Sequence, residues 1–231
     1  MKKIWKIVIE IVLFAAILGL VYAIYSSIMK PVNFNKEKAQ RETVAIQRLK
    51  DIRTLQVAYK GVSGKFLSSV DSLCDFYNNG KMKIVMQVGS EDDSLAMVHT
   101  QTVKKQLGGK VTNAQLYELF LKGDKDLVFA VETEIPVRDT LFQNRPDFRV
   151  DSLKYIPFSG GMAVEMESVN RMVSGVNVPL FEARMPYRAL LKGLDNQLRI
   201  NLDAQCRDQN KYEGLQVGSV TTPNNNAGNW E

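Results

Sequence analysis

The sequence predicts an α+β protein that is attached to a membrane by its N-terminus, and three observations support this. Residues 11–29 form an uncharged, largely apolar run close to the start of the chain. Residues 35–61 carry apolar side chains at helical spacing, and several segments after residue 127 read as strands. We therefore expect an N-terminal transmembrane helix, an amphipathic helix, and then a mainly antiparallel sheet with one or two interleaved helices.

The N-terminal apolar run is long enough to cross a bilayer. Together with residues 4–9, a helix that rises about 1.5 Å per residue would span a hydrocarbon core of about 30 Å. A cleaved signal peptide, cut after Ala23, and a buried helix of a soluble protein are the alternatives. The apolar run continues beyond Ala23, and Glu10 stands where the apolar region of a signal peptide would begin. We therefore interpret the segment as an uncleaved anchor.

Basic residues flank the apolar run on both sides, so they do not decide its orientation by themselves. A short basic tail before an apolar helix is typical of a signal anchor. The sequence thus predicts a single-pass protein of the cytoplasmic (inner) membrane, with its N-terminus in the cytoplasm and most of the chain outside it.

Composition bounds the rest of the chain. The net charge is +5, and the first 30 residues supply +3 of it, so the remainder gives no reason to expect a nucleic-acid partner. We predict an anchor at 1–30, a helical stem at 31–80, an extracytoplasmic α+β domain at 81–220 and a flexible tail at 221–231. Cys74 and Cys206 are the only cysteines. They either form one disulfide in an oxidising compartment or remain buried thiols.

The stem is predicted to be a separate helix, because Pro31 should interrupt the membrane helix. Its apolar stripe consists of Ala45, Leu49, Ile52 and Tyr59. A stripe this short favours packing onto the protein's own domain over a coiled coil. The charged residues of the other face are interpreted as a solvated surface; they are Lys38, Arg41, Glu42, Arg48, Lys50 and Asp51.

The remaining elements follow from caps and alternation. Thr112 and Gln115 resemble a capping box that opens a helix ending at Gly123. Strands are predicted at 81–88, 127–137, 149–158, 162–169, 176–185 and 198–203, with a hairpin turn at 160–161. Further helices are predicted before Gly80 and after Pro186, and residues 89–110 are expected to be partly irregular.

The sequence lacks most of the residues that common catalytic and metal-binding sites require. His99 is the only histidine, and with two distant cysteines it cannot supply a common zinc site or a catalytic triad. Residues 108–110 lack the other residues of a phosphate-binding loop. We therefore expect no catalytic residues, no metal and no cofactor, and we do not expect an enzyme.

Aromatic and basic residues meet at Arg184, Tyr187 and Arg188, and again near Phe142 and Arg145. The first group is a possible partner surface that could grip carboxylates or a sugar polymer. The alternative is an ordinary amphipathic surface beside a sheet edge.

The position of Glu10 within the apolar run calls for an offsetting partner, because a carboxylate in hydrocarbon costs free energy. Lys6, one turn earlier, is the intramolecular partner. A basic group on a neighbouring subunit is the other. In that case Glu10 would set the register of an assembly.

The segment around Glu10, with small residues at 16, 19 and 23, resembles the N-terminal helix of type IV pilins and type II secretion pseudopilins. Residues 50–66 are similar to the end of that helix, so the resemblance covers about the first 75 residues. It implies homo- or hetero-oligomerisation through the helix, with Lys6, Glu10 and Gly19 in the contacts. It does not extend to the processing site, where Trp5 replaces the glycine of the family.

The overall layout also resembles single-pass membrane proteins of Bacteroidota, on residues 51–53 and the terminal Asn-Trp-Glu. That resemblance implies no activity. The functional hypothesis is a non-catalytic envelope protein that acts in the assembly of a membrane-bound or pseudopilin-like complex. The alternatives are a membrane-anchored binding module for a peptide or glycan, and an anchored enzyme.

Overall fold

The computed structural model describes the backbone of residues 2–231, and the side chains of Trp5 and of residues 7–231. The chain forms two compact units, one made of the segment up to Cys74 with residues 149–231, and the other of residues 75–148. Both units combine helices with antiparallel strands. The α+β class and the long apolar N-terminal helix are thus confirmed.

Helix α1 runs without a break from Lys2 to Ser63, so the predicted interruption at Pro31 is wrong. A proline removes one backbone hydrogen bond and costs about 3 kcal/mol in a helix interior. The helical hydrogen bonds in the turns before and after Pro31 stabilise the helix despite the missing one. At the C-terminal end, Gly64 adopts a positive φ of 73°, and its N–H donates to the Lys60 carbonyl at 2.8 Å.

The sheet of the first unit has the order β3-β4-β5 and is antiparallel throughout. Its strands are β3 (Glu165–Val173), β4 (Val176–Pro186) and β5 (Gly214–Gly218). The β3-β4 hairpin turns at residues 174–175, both with positive φ. The predicted turn at 160–161 is a separate one, which lies between chain segments that pair in antiparallel fashion, with the Ile156 N–H donating to the Met162 carbonyl at 2.8 Å. The bridge between Tyr155 and Ala163 closes this second turn, so the predicted hairpin turn at 160–161 is confirmed, although the chain on either side forms only a single bridge there.

Two predicted strands of this unit are helical in the structure. Within 149–158 the chain forms a 3₁₀ helix, Val150–Lys154, because Val150 and Leu153 are buried three residues apart. Residues 198–203 lie in helix α6 (Asn196–Asp208). Asp195 caps this helix by accepting hydrogen bonds from two N–H groups of the first turn, a cap that outweighs the local alternation.

The first unit also contains two shorter helices. Helix α2 (Val70–Asn79) begins in this unit, where the hydroxyl of Ser69 accepts from the N–H of Asp71. Helix α5 (Tyr187–Leu190) follows Pro186, as predicted. Helix α5 joins β4 to the loop before α6.

The second unit pairs strand β1 (Lys81–Val88) with β2 (Phe129–Pro136) in antiparallel register. Helix α4 (Asn113–Leu121) begins with the predicted capping box between Thr112 and Gln115, which is confirmed. The core of this unit consists of Val88, Leu116, Leu127, Phe129 and Val131.

Helix α3 (Ser94–Gln106) occupies most of the stretch that was expected to be partly irregular. Asp93 caps it by accepting hydrogen bonds from two backbone N–H groups, and the buried hydroxyl of Thr100 accepts one from Val128 at 2.8 Å. Four α-helices, α3 to α6, therefore lie between strands in the order of the described chain, more than the one or two predicted.

The C-terminal stretch, for which the sequence predicts a flexible tail, contacts the first unit at several points. Gly228 forms a β-bridge with Val217 in β5. The Arg53 guanidinium, on α1, donates to the Glu231 carboxylate at 2.7 Å. These contacts link the chain end to both the sheet and the long helix.

Candidate functional site

The N-terminal half of α1 is an exposed apolar rod. Its most apolar 18-residue window contains no buried residue, and side chains such as Leu13 and Phe14 are more than half exposed. By length and composition, α1 is the one helix of the described chain able to cross a membrane. Glu10 and Gly19 lie on this rod, and the side chain of Lys6 lies outside the described residues.

Glu10 and Gly19 lie on opposite sides of the rod. They are nine residues apart, and a helix turns by about 100° per residue, so the two positions differ by about 180°. Glu10 is exposed, and a Cβ added at Gly19 would meet no atom within 4 Å. Glu10 and Gly19 are therefore both open positions, on opposite sides of the rod.

The C-terminal half of α1 enters the core of the first unit. Ala45, Leu49 and Ile52 are 0% exposed, and Tyr59 is half-buried. This half packs against β4, β5 and the 3₁₀ helix of the unit. Leu55 is also fully buried, although the predicted stripe did not include it.

Polar side chains of α1 complete this docking. The Arg41 guanidinium donates to the carbonyls of Leu190 and Lys192 at 3.1 and 2.9 Å. That of Arg48 donates to the Tyr155 carbonyl at 2.6 Å.

The interpretation of these charged residues as a solvated surface is therefore wrong for several of them. Asp51 is also buried and accepts a hydrogen bond from Gln47. The guanidinium groups reach carbonyl oxygens at the ends of loops and of short helices, where backbone acceptors lack a partner within the helix.

Arg184 and Arg188 line an open cleft of about 510 Å³ in the first unit. The cleft lies between the β3-β4 hairpin, α5, α6 and the loop before β5. Its lining residues are Glu165, Arg184, Pro186, Arg188, Arg199, Asp203, Lys211, Tyr212 and Glu213.

Tyr187 does not belong to this surface, which corrects the prediction. Its side chain is 7% exposed, and its hydroxyl donates to the Glu42 carboxylate on α1 at 2.7 Å. The residue before α5 is Pro186, and the helix turns the ring of Tyr187 inward while Arg188 points into the cleft. Burial, together with this hydrogen bond, raises the pKa of Tyr187.

Ion pairs organise one wall of the cleft. Glu165 and Arg184 are opposite each other in the β3-β4 register, and their side chains lie 3.6 Å apart. Arg184 also pairs with Glu182 at 3.2 Å, and Arg188 approaches Glu165 at 3.6 Å. The opposite wall comes from α6 and the following loop. It could not be located from the sequence, because residues 198–203 were predicted to be a strand.

The two cysteines are free thiols, so no disulfide links Cys74 and Cys206. Cys74 is buried on α2, and its thiol points to the Val150 carbonyl at 3.5 Å. Cys206 is half-buried on α6, where burial, reinforced by the negative charge of Asp203, raises the pKa of its thiol. Separate packing environments on two helices account for the absence of the bridge.

Among the described residues, no group of three or more histidine, cysteine, aspartate or glutamate side chains could hold a metal ion. Comparison of the chain with known protein families, with curated proteins and with solved structures finds no match. The resemblance to pilins and pseudopilins therefore stays a prediction from the sequence.

Proposed function

We propose that this chain is a non-catalytic, single-pass protein of the cell envelope that acts as a subunit of a membrane-bound, pseudopilin-like assembly. Its N-terminus would lie in the cytoplasm and its folded units outside the cytoplasmic membrane. The observation that carries the proposal is the continuity of α1, which joins an exposed apolar rod to a buried core segment.

The apolar side chains of the exposed rod would be unfavourable in water. Burying one large aliphatic side chain gains about 1.5–3 kcal/mol relative to leaving it in water. The rod carries more than ten such side chains in the exposed state. The hydrocarbon core of a bilayer would remove these side chains from water along the whole length of the rod. This supports insertion of the rod into a membrane.

The placement of Glu10 and Gly19 supports an open assembly over a closed dimer. Small residues let helix backbones approach closely in membranes, and Ala15, Gly19 and Ala23 share one face at four-residue spacing. Glu10 faces the other way. A subunit that uses both faces contacts two different neighbours, and such head-to-tail contacts build rings or filaments.

The buried half of α1 would connect the contacts between rods to the folded first unit. The rod and the docked segment are one helix, and the docked segment is held by apolar packing and by the hydrogen bonds of Arg41 and Arg48. Neighbouring rods in the membrane would therefore set the spacing of the first units outside it.

Chemical cross-linking of the full-length chain in membranes tests this proposal. Glu10→Ala and Gly19→Leu should each reduce the ladder of cross-linked oligomers, because each removes one of the two contacts. Vesicle flotation should show unchanged insertion. Leu20→Ala lies on a face between the two and serves as the matched control.

A ladder that is unchanged in both variants would contradict the assembly proposal. Recovery of the chain as a soluble species that does not float with vesicles would contradict membrane insertion. The two results are read separately, so assembly can fail while insertion stands.

A further inference from the structure

The cleft of the first unit contains a buried acceptor that has no hydrogen-bond donor among the described residues. The side chain of Asp203 is 9% exposed, and its Oδ2 accepts a hydrogen bond from Arg199 one turn earlier. Its Oδ1 is buried, and within the described residues it has no hydrogen-bond partner. Burial raises the pKa of Asp203, against the opposing effect of Arg199. A ligand O–H or N–H would satisfy this oxygen and offset its desolvation.

The cleft also carries cations that are free to meet a ligand. The Lys211 ammonium makes no ion pair or side-chain hydrogen bond within the described part of the chain. The side chain of Arg188 is 68% exposed, and its contact with Glu165 is long, at 3.6 Å. Across the whole lining, four cationic side chains face three carboxylates. The cleft therefore has a place for an anionic group near its mouth.

In the described part of the chain, the uncharged part of the lining contains no aliphatic side chain of Leu, Ile, Val or Met. Among the described residues that line the cleft, the uncharged ones are Pro186 and Tyr212. The ring of Tyr212 is half-buried and lies beside the Arg184 guanidinium, with 6.0 Å between the guanidinium carbon and the ring centroid. Burial raises its pKa to about 12, so the phenol keeps its proton at neutral pH. It offers a hydrogen-bonding hydroxyl on a flat ring.

We propose that this cleft binds an acidic carbohydrate, a saccharide whose sugar rings carry carboxylates, as uronic acids do. Sugar hydroxyls both donate and accept, which matches a lining that alternates carboxylate acceptors with guanidinium and ammonium donors. A sugar hydroxyl would donate to Asp203 Oδ1, and the sugar carboxylate would accept from Lys211 and Arg188. A sugar ring can lie against the flat face of Tyr212.

An acidic peptide is the competing ligand, and the cleft favours it less. Recognition of an extended peptide commonly uses backbone hydrogen bonds to a sheet edge together with side-chain pockets. No Leu, Ile, Val, Met or Phe is among the described residues that line the cleft, so its apolar surface comes from Pro186, Tyr212 and the stems of charged side chains, and an aliphatic side chain of a peptide finds no matching pocket. An acidic sugar carries hydroxyl groups that can donate to Asp203 Oδ1, and a carboxylate that can accept from Lys211 and Arg188 at the mouth of the cleft.

Isothermal titration of the full-length chain in detergent with trigalacturonate tests this inference. Maltotriose, a neutral trisaccharide, and triglutamate, an acidic peptide, are the comparison probes. We expect trigalacturonate to bind, and both comparison probes to bind at least tenfold more weakly. Equal or tighter binding of triglutamate, equal binding of maltotriose, or no binding of trigalacturonate would each overturn the inference.

Variants locate the binding within the cleft. Lys211→Gln and Arg188→Gln should each weaken trigalacturonate binding by about tenfold, the loss expected for one charge-assisted hydrogen bond. Both side chains are at the surface, so these changes leave the core untouched. Arg171→Gln removes an exposed charge on β3 outside the cleft lining and should leave binding unchanged.

A similar loss in Arg171→Gln would show that binding follows net charge alone, and it would overturn the assignment to this cleft. Asp203→Ala tests the deep acceptor, because it removes both carboxylate oxygens. This change also removes the pair with Arg199, so the unfolding temperature of the variant is measured alongside its binding. A folded Asp203→Ala variant with undiminished binding would contradict the assigned role of Oδ1. Cross-linking of the full-length chain measures assembly and not ligand binding, so failure of the assembly proposal can be told apart from failure of this inference.

Discussion

Gln56 and Leu67 bind each other through both hydrogen-bonding groups of the Gln56 amide. The Gln56 Nε2 donates to the Leu67 carbonyl at 2.7 Å, and the Leu67 N–H donates to Gln56 Oε1 at 3.0 Å. Gln56 is 0% exposed in the stretch of α1 that enters the core. The amide thus acts as a substitute for a backbone pair, and it holds the turn that follows α1 against the helix.

Replacing Gln56 with leucine should destabilise the protein by about 2–4 kcal/mol, because the N–H and the carbonyl of the half-buried Leu67 would both lose their partner. Urea unfolding of the full-length chain in detergent, followed by circular dichroism, measures the change. Gln40→Leu, at an exposed position of the same helix, is the matched control and should change stability by less than about 0.5 kcal/mol. Equal effects of the two substitutions would show that the pair contributes nothing.

The contact of the C-terminus with α1 should depend on pH. A hydrogen bond from Arg53 holds the pKa of Glu231 below its ordinary value of 4.5. A carboxylate with a lowered pKa contributes stability above about pH 4.5, and this contribution is lost as the pH falls towards its pKa in the folded state. Hydrogen exchange of residues 221–231, corrected for the intrinsic effect of pH, should therefore rise between pH 6 and pH 3.

The variant Arg53→Gln tests the cause of this pH dependence. It should raise exchange of residues 221–231 already at pH 6 and should remove most of the further change at low pH. Arg171→Gln, on β3, should behave like the unaltered chain. A pH response that survives in Arg53→Gln would point to another carboxyl group.

The buried pair of Tyr187 and Glu42 should make the protein sensitive to alkali. A tyrosine with a raised pKa contributes stability fully below the ordinary value of 10, and this contribution is lost as the pH rises above it. Tyr187→Phe should cost about 1.5–3 kcal/mol at pH 8, because it removes a hydrogen bond to a carboxylate.

The difference between the two chains should shrink between pH 8 and pH 11.5, as measured by urea unfolding at each pH. Tyr155→Phe serves as the control, because Tyr155 is half exposed. Its effect should be small at both values. A Tyr187→Phe variant as stable as the unaltered chain at pH 8 would exclude a net contribution of this hydrogen bond.

Local signals predicted much of the fold. The capping box of Thr112 and Gln115, the alternation in β1, β2 and β4, and the apolar spacing of the stem all act within a few residues. Each is therefore readable in the sequence. Arg184 and Arg188, which line one cleft, could be grouped from the sequence for the same reason, because they are close in the chain.

The missing parts depend on contacts between distant residues. Asp203 and Lys211 join Arg188 only because 198–203 is helical, and the alternation of Leu198, Ile200 and Leu202 favours a strand when read alone. The roles of Arg41 and Arg48 depend on carbonyl groups more than 100 residues away. No local pattern contains that information.

Helix α3 begins at a local signal, the N-cap residue Asp93, and this cap provides a direct test. Asp93 accepts hydrogen bonds from the N–H groups of Leu95 and Ala96 at 3.1 and 3.2 Å. Asp93→Ala should destabilise this helix by about 1 kcal/mol, since N-cap aspartates typically contribute that much. Hydrogen exchange of residues 94–106 should rise about fivefold, which corresponds to that energy. Asp92→Ala is the control, because it removes a neighbouring carboxylate that does not cap the helix. In this variant, exchange of residues 94–106 should stay within a factor of two of that in the unaltered chain. If both substitutions accelerate exchange equally, the effect comes from the lost negative charge near the helix N-terminus, and the capping hydrogen bonds are not its source.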